Sequence, residues 1–272
     1  MPEGDTIHRA AKTLNTALAG RVITRFETML PQLARIDEDA PLAGRTIESV
    51  EAAGKNLLIH FSGDLHLRTH MRMHGTWHIY KPGERWRMPR GDMRITIATD
   101  AWVAVAFNVP VAEFFDERQE DLRRIGPDFL GKTFDEAEAM RRIRTRADEE
   151  IADVILNQRV VSGIGNEYKS EVLFMSRINP FTLVRDLTDA QIETILKTAR
   201  KVMLANVAKR STQRITTFSL DPAQSKYVFG RGGKPCRKCG KAISYKKQGR
   251  DVRGTYWCPR CQGRLRSDWI ED

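Results

Sequence analysis

Two Cys-x-x-Cys knuckles limit what this chain can fold into more than any other feature: Cys236-Arg-Lys-Cys239 and, 18 residues on, Cys258-Pro-Arg-Cys261. Two such pairs at this separation bring four thiolates into a tetrahedron around one zinc ion, with no position left for water, so the ion is structural. The set uses all 4 cysteines of the chain, which suits a reducing compartment where a disulfide framework does not persist. A redox dithiol would need only one of the pairs. The metal would fold a small zinc-ribbon hairpin whose tip, residues 248–255, carries Arg250 and Arg253.

The charge of the chain is concentrated in the same region. Residues 201–272 hold 17 Lys/Arg against 5 Asp/Glu, whereas residues 1–200 hold 28 against 30. The whole net charge of +10 therefore belongs to the C-terminal quarter, and such a region suits a polyanion, either nucleic acid or an anionic membrane surface. No amphipathic helix carries this charge, and no apolar run approaches the ~20 residues of a spanning helix, so no membrane partner is expected. The start, Pro2-Glu3-Gly4-Asp5, is polar and acidic and not a cationic-then-apolar leader. A cytoplasmic protein is expected, nucleoid-associated if bacterial.

A length of 272 residues allows two domains, each with its own core. Asp5 or Thr6 can cap a first helix running to about Leu18, with Ile7, Ala10, Ala11, Leu14, Ala17 and Leu18 as its apolar stripe and Gly20 ending it. Short strand-like runs follow at Val22–Met29, Thr46–Ala53, Asn56–Phe61, Leu65–Met71, Thr76–Tyr80, Met93–Thr99, Trp102–Phe107 and Val111–Phe115, punctuated by turn residues. Regular strands with little helix between them predict an antiparallel sandwich or barrel. The pattern changes near Asp116. Thr133-Phe134-Asp135-Glu136 and Thr188-Asp189-Ala190-Gln191 read as capping boxes, the second opening a helix to about Ala208. Between them, residues 148–174 read as helix, two-glycine turn, helix, and residues 209–235 as a mostly mobile loop.

Several residues carry candidate chemistry. Removal of Met1 would leave the secondary amine of Pro2 as the N-terminus, with the Glu3 carboxylate beside it. An α-amino group titrates at about 7.7–8.0, so part of it is unprotonated and nucleophilic near neutral pH. A secondary amine attacking an aldehyde-like sugar carbon gives an iminium that cannot lose its charge by shedding a nitrogen proton, and so acts as an electron sink. Equally, many proteins begin Met-Pro, and Glu3 can simply start a helix. The start of the second helix in Ser162-Gly163-Ile164-Gly165-Asn166 offers N–H groups to phosphate, or is only a tight turn between packed helices. Lys55, in a turn after Gly54, is a solvated turn residue or, facing a cleft, a point charge for phosphate. His66, His70, His74 and His78 recur every fourth residue, but on strands such residues stand roughly 13 Å apart, too far for one metal.

Taken together the pieces resemble the formamidopyrimidine-DNA glycosylase and endonuclease VIII family of base-excision repair enzymes. The resemblance rests on Pro2-Glu3-Gly4, Gly54-Lys55-Asn56-Leu57-Leu58, Leu156-Asn157-Gln158 through Gly163-Ile164-Gly165-Asn166-Glu167-Tyr168, and the four cysteines, in that order. It implies a multi-domain α+β chain: an N-terminal helix and antiparallel β-sandwich over residues 1–116, a linker at 117–132, a helical domain at 133–226 whose helix–two-turn–helix spans about 150–175, and a zinc finger at 227–264. It implies a bifunctional glycosylase and AP lyase acting as a monomer on damaged double-stranded DNA. Pro2 would attack C1′ of an everted nucleotide, Glu3 would move protons at the sugar, and Lys55, Asn166 and Arg253 would grip the backbone. Arg72, Met73 and His74 would fill the vacated stack, and elimination of the 3′ and then the 5′ phosphate would follow. Gly4 resembles the endonuclease VIII branch, which favours oxidised pyrimidines over 8-oxoguanine and ring-opened purines. Thr6 stands where the family often has a second glutamate, and Arg72-Met73-His74 departs from the glutamine-leucine-tyrosine set of the best-known endonuclease VIII branch. A non-catalytic damage sensor and an RNA-binding zinc ribbon are the rival functions.

Overall fold

The computed structural model describes residues 2–115, 124–209, 213–217, 219 and 221–263. Its contacts divide the chain into two units, Met1–Arg124 and Ile125–Asp272. Residues 117–123, the first part of the expected linker, lie outside the described residues. Phe129 and Leu130, in its second part, are buried in the core of the second unit.

In the first unit, α1 (Gly4–Leu18) is followed by β1 (Arg25–Thr28), α2 (Pro31–Asp39), β2 (Ile47–Ala53), β3 (Asn56–Phe61), β4 (Leu65–His70), β5 (Thr76–Tyr80), β6 (Met93–Ala98), β7 (Val103–Phe107) and β8 (Val111–Phe115). The strands form two four-stranded antiparallel sheets, ordered β1-β6-β7-β5 and β2-β3-β4-β8. One core holds both sheets and α1: Phe26, Ile95, Ile97 and Ala104 from the first, Val50, Leu57, Ile59 and Leu67 from the second, and Ile7, Leu14 and Leu18 from the helix. Period-2 alternation explains most of these strands. β7 breaks it, because all five of its residues are buried. Its small Ala104 and Ala106 face the main core, while Val103, Val105 and Phe107 join a second cluster under Trp86 and Met88. The segment between β5 and β6 therefore straps the outer face of its sheet.

Two local expectations shift. The sequence places the cap of α1 at Asp5 or Thr6, but Glu3 occupies the N-cap with extended backbone, and its carbonyl accepts from the Thr6 and Ile7 N–H groups at 2.9 and 3.1 Å. Asp5 lies inside the first turn, fully buried, 3.7 Å from the Arg9 guanidinium. α2 falls where the sequence pattern shows no helix; only Leu33 of its nine residues is buried, too little for a readable stripe.

The second unit contains α3 (Glu136–Arg144), α4 (Ile151–Leu156), α5 (Asn166–Met175), α6 (Asp189–Ala208) and the hairpin β9 (Ser244–Gln248) with β10 (Arg253–Trp257). α6 opens on a complete capping box, Thr188 with Gln191, as expected. α3 is capped by Asp135, which accepts from the Glu138 N–H at 2.8 Å, rather than by Thr133. The axis of the unit is α5, buried from Glu167 to Phe174. Three of those buried side chains are charged, and each is matched. Glu167 takes Arg214 and Lys226 at 2.9 and 3.0 Å. Lys169 reaches the Thr255 hydroxyl at 2.7 Å. Glu171 accepts from the N–H groups of Tyr227, Val228 and Phe229 at 2.7–2.8 Å and from the Thr216 hydroxyl. Burial pushes the Glu171 carboxyl up and these four donors pull it back. Residues 210–212, 218 and 220 of the expected loop lie outside the described residues; 213–217 and 226–229 are tied to α5 by Glu167 and Glu171 rather than left free.

Candidate active site

The geometry of the first unit follows from how α1 lies on β2. The Gly20 N–H donates to the Ile47 carbonyl and the Val50 N–H donates to Asn15 Oδ1, both at 2.8 Å, so the helix runs antiparallel to the strand. From Asn15 back to Glu3 the helix rises about 18 Å at ~1.5 Å per residue. From Val50 on to Lys55 the strand advances about 17 Å at ~3.3 Å per residue. The start of α1 and the Gly54-Lys55 turn therefore reach the same end of the sheet. Gly54 has φ +60°, which the first position of a two-residue hairpin loop between Ala53 and Asn56 requires.

The same end gathers the remaining candidates of this unit. His70 closes β4 directly opposite Asn56, and Arg72, Met73 and His74 follow it, all exposed, with Met73 at 56%. Glu3 is fully buried at the helix N-terminus, where the partial positive charge of the first turn favours a carboxylate, while Pro2 is half-buried ahead of it. The end thus holds two buried carboxylates, Glu3 and Asp5, the latter beside Arg9, in a field of cations: Lys55, Arg72 and Arg68, the last paired with Glu113.

The sequence marks His70 only as one member of the four-residue histidine period, which on strands cannot share a metal; nothing local marks the environment it meets at the end of β4. Burial, then Arg72, Lys55 and Arg68, bring its pKa down to about 4. Its Nδ1 accepts the Arg72 N–H at 3.0 Å, so the neutral ring carries its proton on Nε2. With the folded pKa below the ordinary 6.5, the unfolded chain binds more protons between those values. The contribution of His70 to stability is complete above about pH 6.5 and is lost as pH falls toward 4. An NMR titration of the ring should give a midpoint near 4, and a midpoint near 6.5 would contradict this environment.

In the second unit, Asn166 begins α5, whose N-cap Gly165 supplies no side-chain cap. The Asn166 amide donates to the Gly254 carbonyl at 2.9 Å, which brings it beside Arg253 on β10. The finger itself fits zinc. A tetrahedron of ~2.3 Å Zn–S bonds separates its sulfurs by about 3.8 Å; here Cys236 and Cys261 Sγ stand 3.9 Å apart and Cys239 and Cys258 3.4 Å, with all four within 4.8 Å of one another. The N–H groups of Lys238 and Cys261 point at Cys236 and Cys258 Sγ, both at 3.4 Å, which neutralises thiolate charge. Among the described residues no histidine cluster offers a second metal set.

Comparison with known proteins agrees with this architecture. Residues 1–120 match the formamidopyrimidine-DNA glycosylase N-terminal domain, residues 125–218 its H2TH domain, and residues 233–263 the zinc finger found in FPG and IleRS. The chain is 36% identical over 267 residues to the probable endonuclease 8 2 of Streptomyces coelicolor, covering 96% of this chain and 94% of that one. It is 32% identical over 264 residues to the DNA-(apurinic or apyrimidinic site) lyase Nei2 of Mycolicibacterium smegmatis, covering 96% and 99%. The fold superposes on Lactococcus lactis Fpg in complex with abasic-site DNA at a TM-score of 0.79 and 23% identity, over 97% of this chain and 100% of that one. Sandwich, helix–two-turn–helix and four-cysteine finger in this order define a zinc-containing DNA glycosylase. The chain belongs to the formamidopyrimidine-DNA glycosylase family, on the side whose curated relatives are named endonuclease 8. Its four cysteines hold one structural zinc ion. Among the described residues no helix is long and apolar enough to cross a membrane.

Proposed function

We propose that the chain is a bifunctional glycosylase and AP lyase that excises oxidised bases, pyrimidines foremost, through the amine of Pro2. The observation that carries this is the convergence of the α1 start, bearing Pro2 and the buried Glu3, with Lys55 at one end of the sandwich. The amine of Pro2, freed of Met1, attacks C1′ of an everted nucleotide, and the C1′–N bond to the base breaks. Glu3, held at the helix N-terminus, passes protons as the ring opens and the base leaves. The resulting iminium draws off the electrons of the C2′–H bond, and the 3′ phosphate leaves, then the 5′ phosphate. Extrusion is cheapest at damaged or mispaired bases, which supplies part of the selectivity.

Lys55, Asn166 and Arg253 grip phosphates in this reading. The neutral His70, close enough to Lys55 to feel its charge, adds an Nε2–H donor that brings no further charge. Arg72, Met73 and His74 fill the stack. The partner is damaged duplex DNA in the cytoplasm, engaged by one copy of the chain. The endonuclease 8 names of relatives at 29–36% identity support the pyrimidine preference.

Borohydride trapping on oligonucleotides carrying an abasic site, dihydrouracil or 8-oxoguanine tests the reading. Expected is a covalent adduct at Pro2, faster gapped product on dihydrouracil than on 8-oxoguanine, and no proline adduct in Pro2→Gly. Faster product on 8-oxoguanine would overturn the pyrimidine preference. Tight binding with no adduct on any of the three, with Met1 shown to be absent, would make the chain a damage sensor.

A further inference from the structure

Lys169 is a lysine in the middle of a buried helix, with no exposed surface at all. Removing an ammonium from water is costly unless opposite charge and hydrogen bonds replace the lost hydration. Both are present, and both lead to the zinc-finger hairpin and the helix beneath it. The Lys169 Nζ donates to Thr255 Oγ1 at 2.7 Å, and that hydroxyl donates to Gln248 Oε1 at 2.7 Å. The Gln248 amide then donates to Glu150 Oε2 at 2.6 Å and to the Pro180 carbonyl at 3.2 Å. Burial raises the carboxyl groups of Glu150 and Asp153, and the Lys169 charge opposes that rise in both. One ammonium thus acts on two carboxylates, Asp153 of α4 and Glu150 at the N-cap of that helix, and reaches Glu150 through Thr255 and Gln248 of the hairpin.

The relay ends where the finger presents Arg253. Gln248 is the direct cross-strand partner of Arg253, and Thr255 lies two residues along the same strand, so the three share one face of the hairpin. Two of them are buried and anchored; Arg253 stands exposed at the end of the row. The turn that follows Gln248 is equally close to α4. A Cβ on Gly249, at φ +72°, would stand 2.4 Å from Asp153 Oδ1. On the other side the Asn166 amide holds the Gly254 carbonyl. The hairpin tip is therefore fixed at three points to helices whose own positions are set by the core of the unit.

We propose that Lys169 is a positioning residue for DNA binding: its buried ammonium locks the β9–β10 hairpin to α4 and α5 and so sets where Arg253 stands relative to Asn166. This rests on the reading of Arg253 and Asn166 as backbone contacts. Zinc closes the base of the finger, and the lysine relay fixes its tip. Without the ammonium, Thr255 and Gln248 lose the charge that orders them, Glu150 and Asp153 repel, and the tip moves while the zinc stays bound.

The test compares wild type with Lys169→Met, Thr255→Val, Arg253→Ala and the Lys169→Met/Arg253→Ala double variant. It measures affinity for duplex DNA carrying an uncleavable tetrahydrofuran abasic analogue, zinc content, and amide exchange across residues 247–256. Expected is about 10-fold weaker binding in Lys169→Met and in Thr255→Val, with one zinc retained, exchange in the hairpin accelerated about 10-fold or more, and single-turnover rate at saturating DNA unchanged. The double variant should bind no more weakly than Arg253→Ala alone. Multiplication of the two single losses in the double variant would overturn the proposal, since Lys169 would then act apart from Arg253. Unchanged exchange in Lys169→Met, or in Thr255→Val if the lysine variant does not fold, would overturn it as well. If Arg253→Ala binds as tightly as wild type, it is the reading of that arginine as a DNA contact that fails, and the exchange measurement still decides the latch.

Discussion

Glu3→Gln should slow base excision by about 10²–10⁴-fold, the usual worth of a positioned proton-transfer group, while affinity for lesion DNA changes by less than about 3-fold. The variant keeps the shape of the side chain and removes only its ability to carry a proton. Glu3 is fully buried and its carbonyl opens α1, so the backbone role survives the change. Loss of a negative charge at a helix N-terminus costs about 0.3–1 kcal/mol, far below the 2.7–5.5 kcal/mol equivalent to the expected rate loss. A rate effect of that size therefore cannot come from stability. Strand cleavage at a preformed abasic site should suffer less than excision, because the sugar has no base to expel and Pro2 alone forms the iminium. Single-turnover rates on dihydrouracil and abasic duplexes at equal enzyme excess would measure both. Equal losses on the two substrates, or a loss under 10-fold on the first, would remove Glu3 from the chemistry of base departure.

Withdrawing zinc, by chelation or by Cys258→Ser, should lower affinity for DNA by about 10²-fold or more and leave the sandwich folded. Zinc binding in isolated fingers is worth apparent values of about 10–16 kcal/mol, as much as an entire domain has to spare. The finger's own apolar cluster is small: Val228, Ile243 and the buried Cys236 and Cys258, packed on Phe174. It cannot hold the hairpin without the metal. With it go Arg253 and the Gly254 carbonyl that orients Asn166, and the two phosphate contacts proposed for these residues, at about 1.5–3 kcal/mol each, would account for the loss. Fluorescence anisotropy with and without chelator reads the affinity. Amide exchange should then show faster opening in residues 231–263 and unchanged protection in β2, β3 and β4. Unchanged affinity in the metal-free protein would separate the finger from DNA binding.

The two units show where local pattern suffices. Asn56–Phe61 and Val111–Phe115 are strands over the bounds that their strand-like runs predict, and α6 begins and ends where its capping box and apolar period place it. The α1 cap stands at Glu3, two or three residues ahead of Asp5 or Thr6, and the helix so lengthened includes the buried Gly4 and Asp5. Pro31, at the first turn of α2, was the available mark for that helix, but a proline in a turn-rich stretch marks a loop equally well. The outer strap over β7 was legible only as turn residues, since Trp86 finds its partners Tyr80 and Phe107 across the sheet.

The sequence by itself determined the zinc, through the spacing of four cysteines; the order and type of most elements, through hydrophobic period and caps; and the candidate nucleophile, through Pro2. These are local properties, fixed within a few turns or a single strand. The tertiary structure alone decided which of the residues share a site. The antiparallel run of α1 along β2 is what carries Glu3 to the end of the sheet where Lys55 and His70 stand, and no periodicity encodes it. Lys169 and Thr255 are 86 residues apart in the chain and 2.7 Å apart in space. A charge in the middle of a buried helix is a conflict that the sequence alone leaves open, and it is resolved only by partners that folding brings to it from elsewhere.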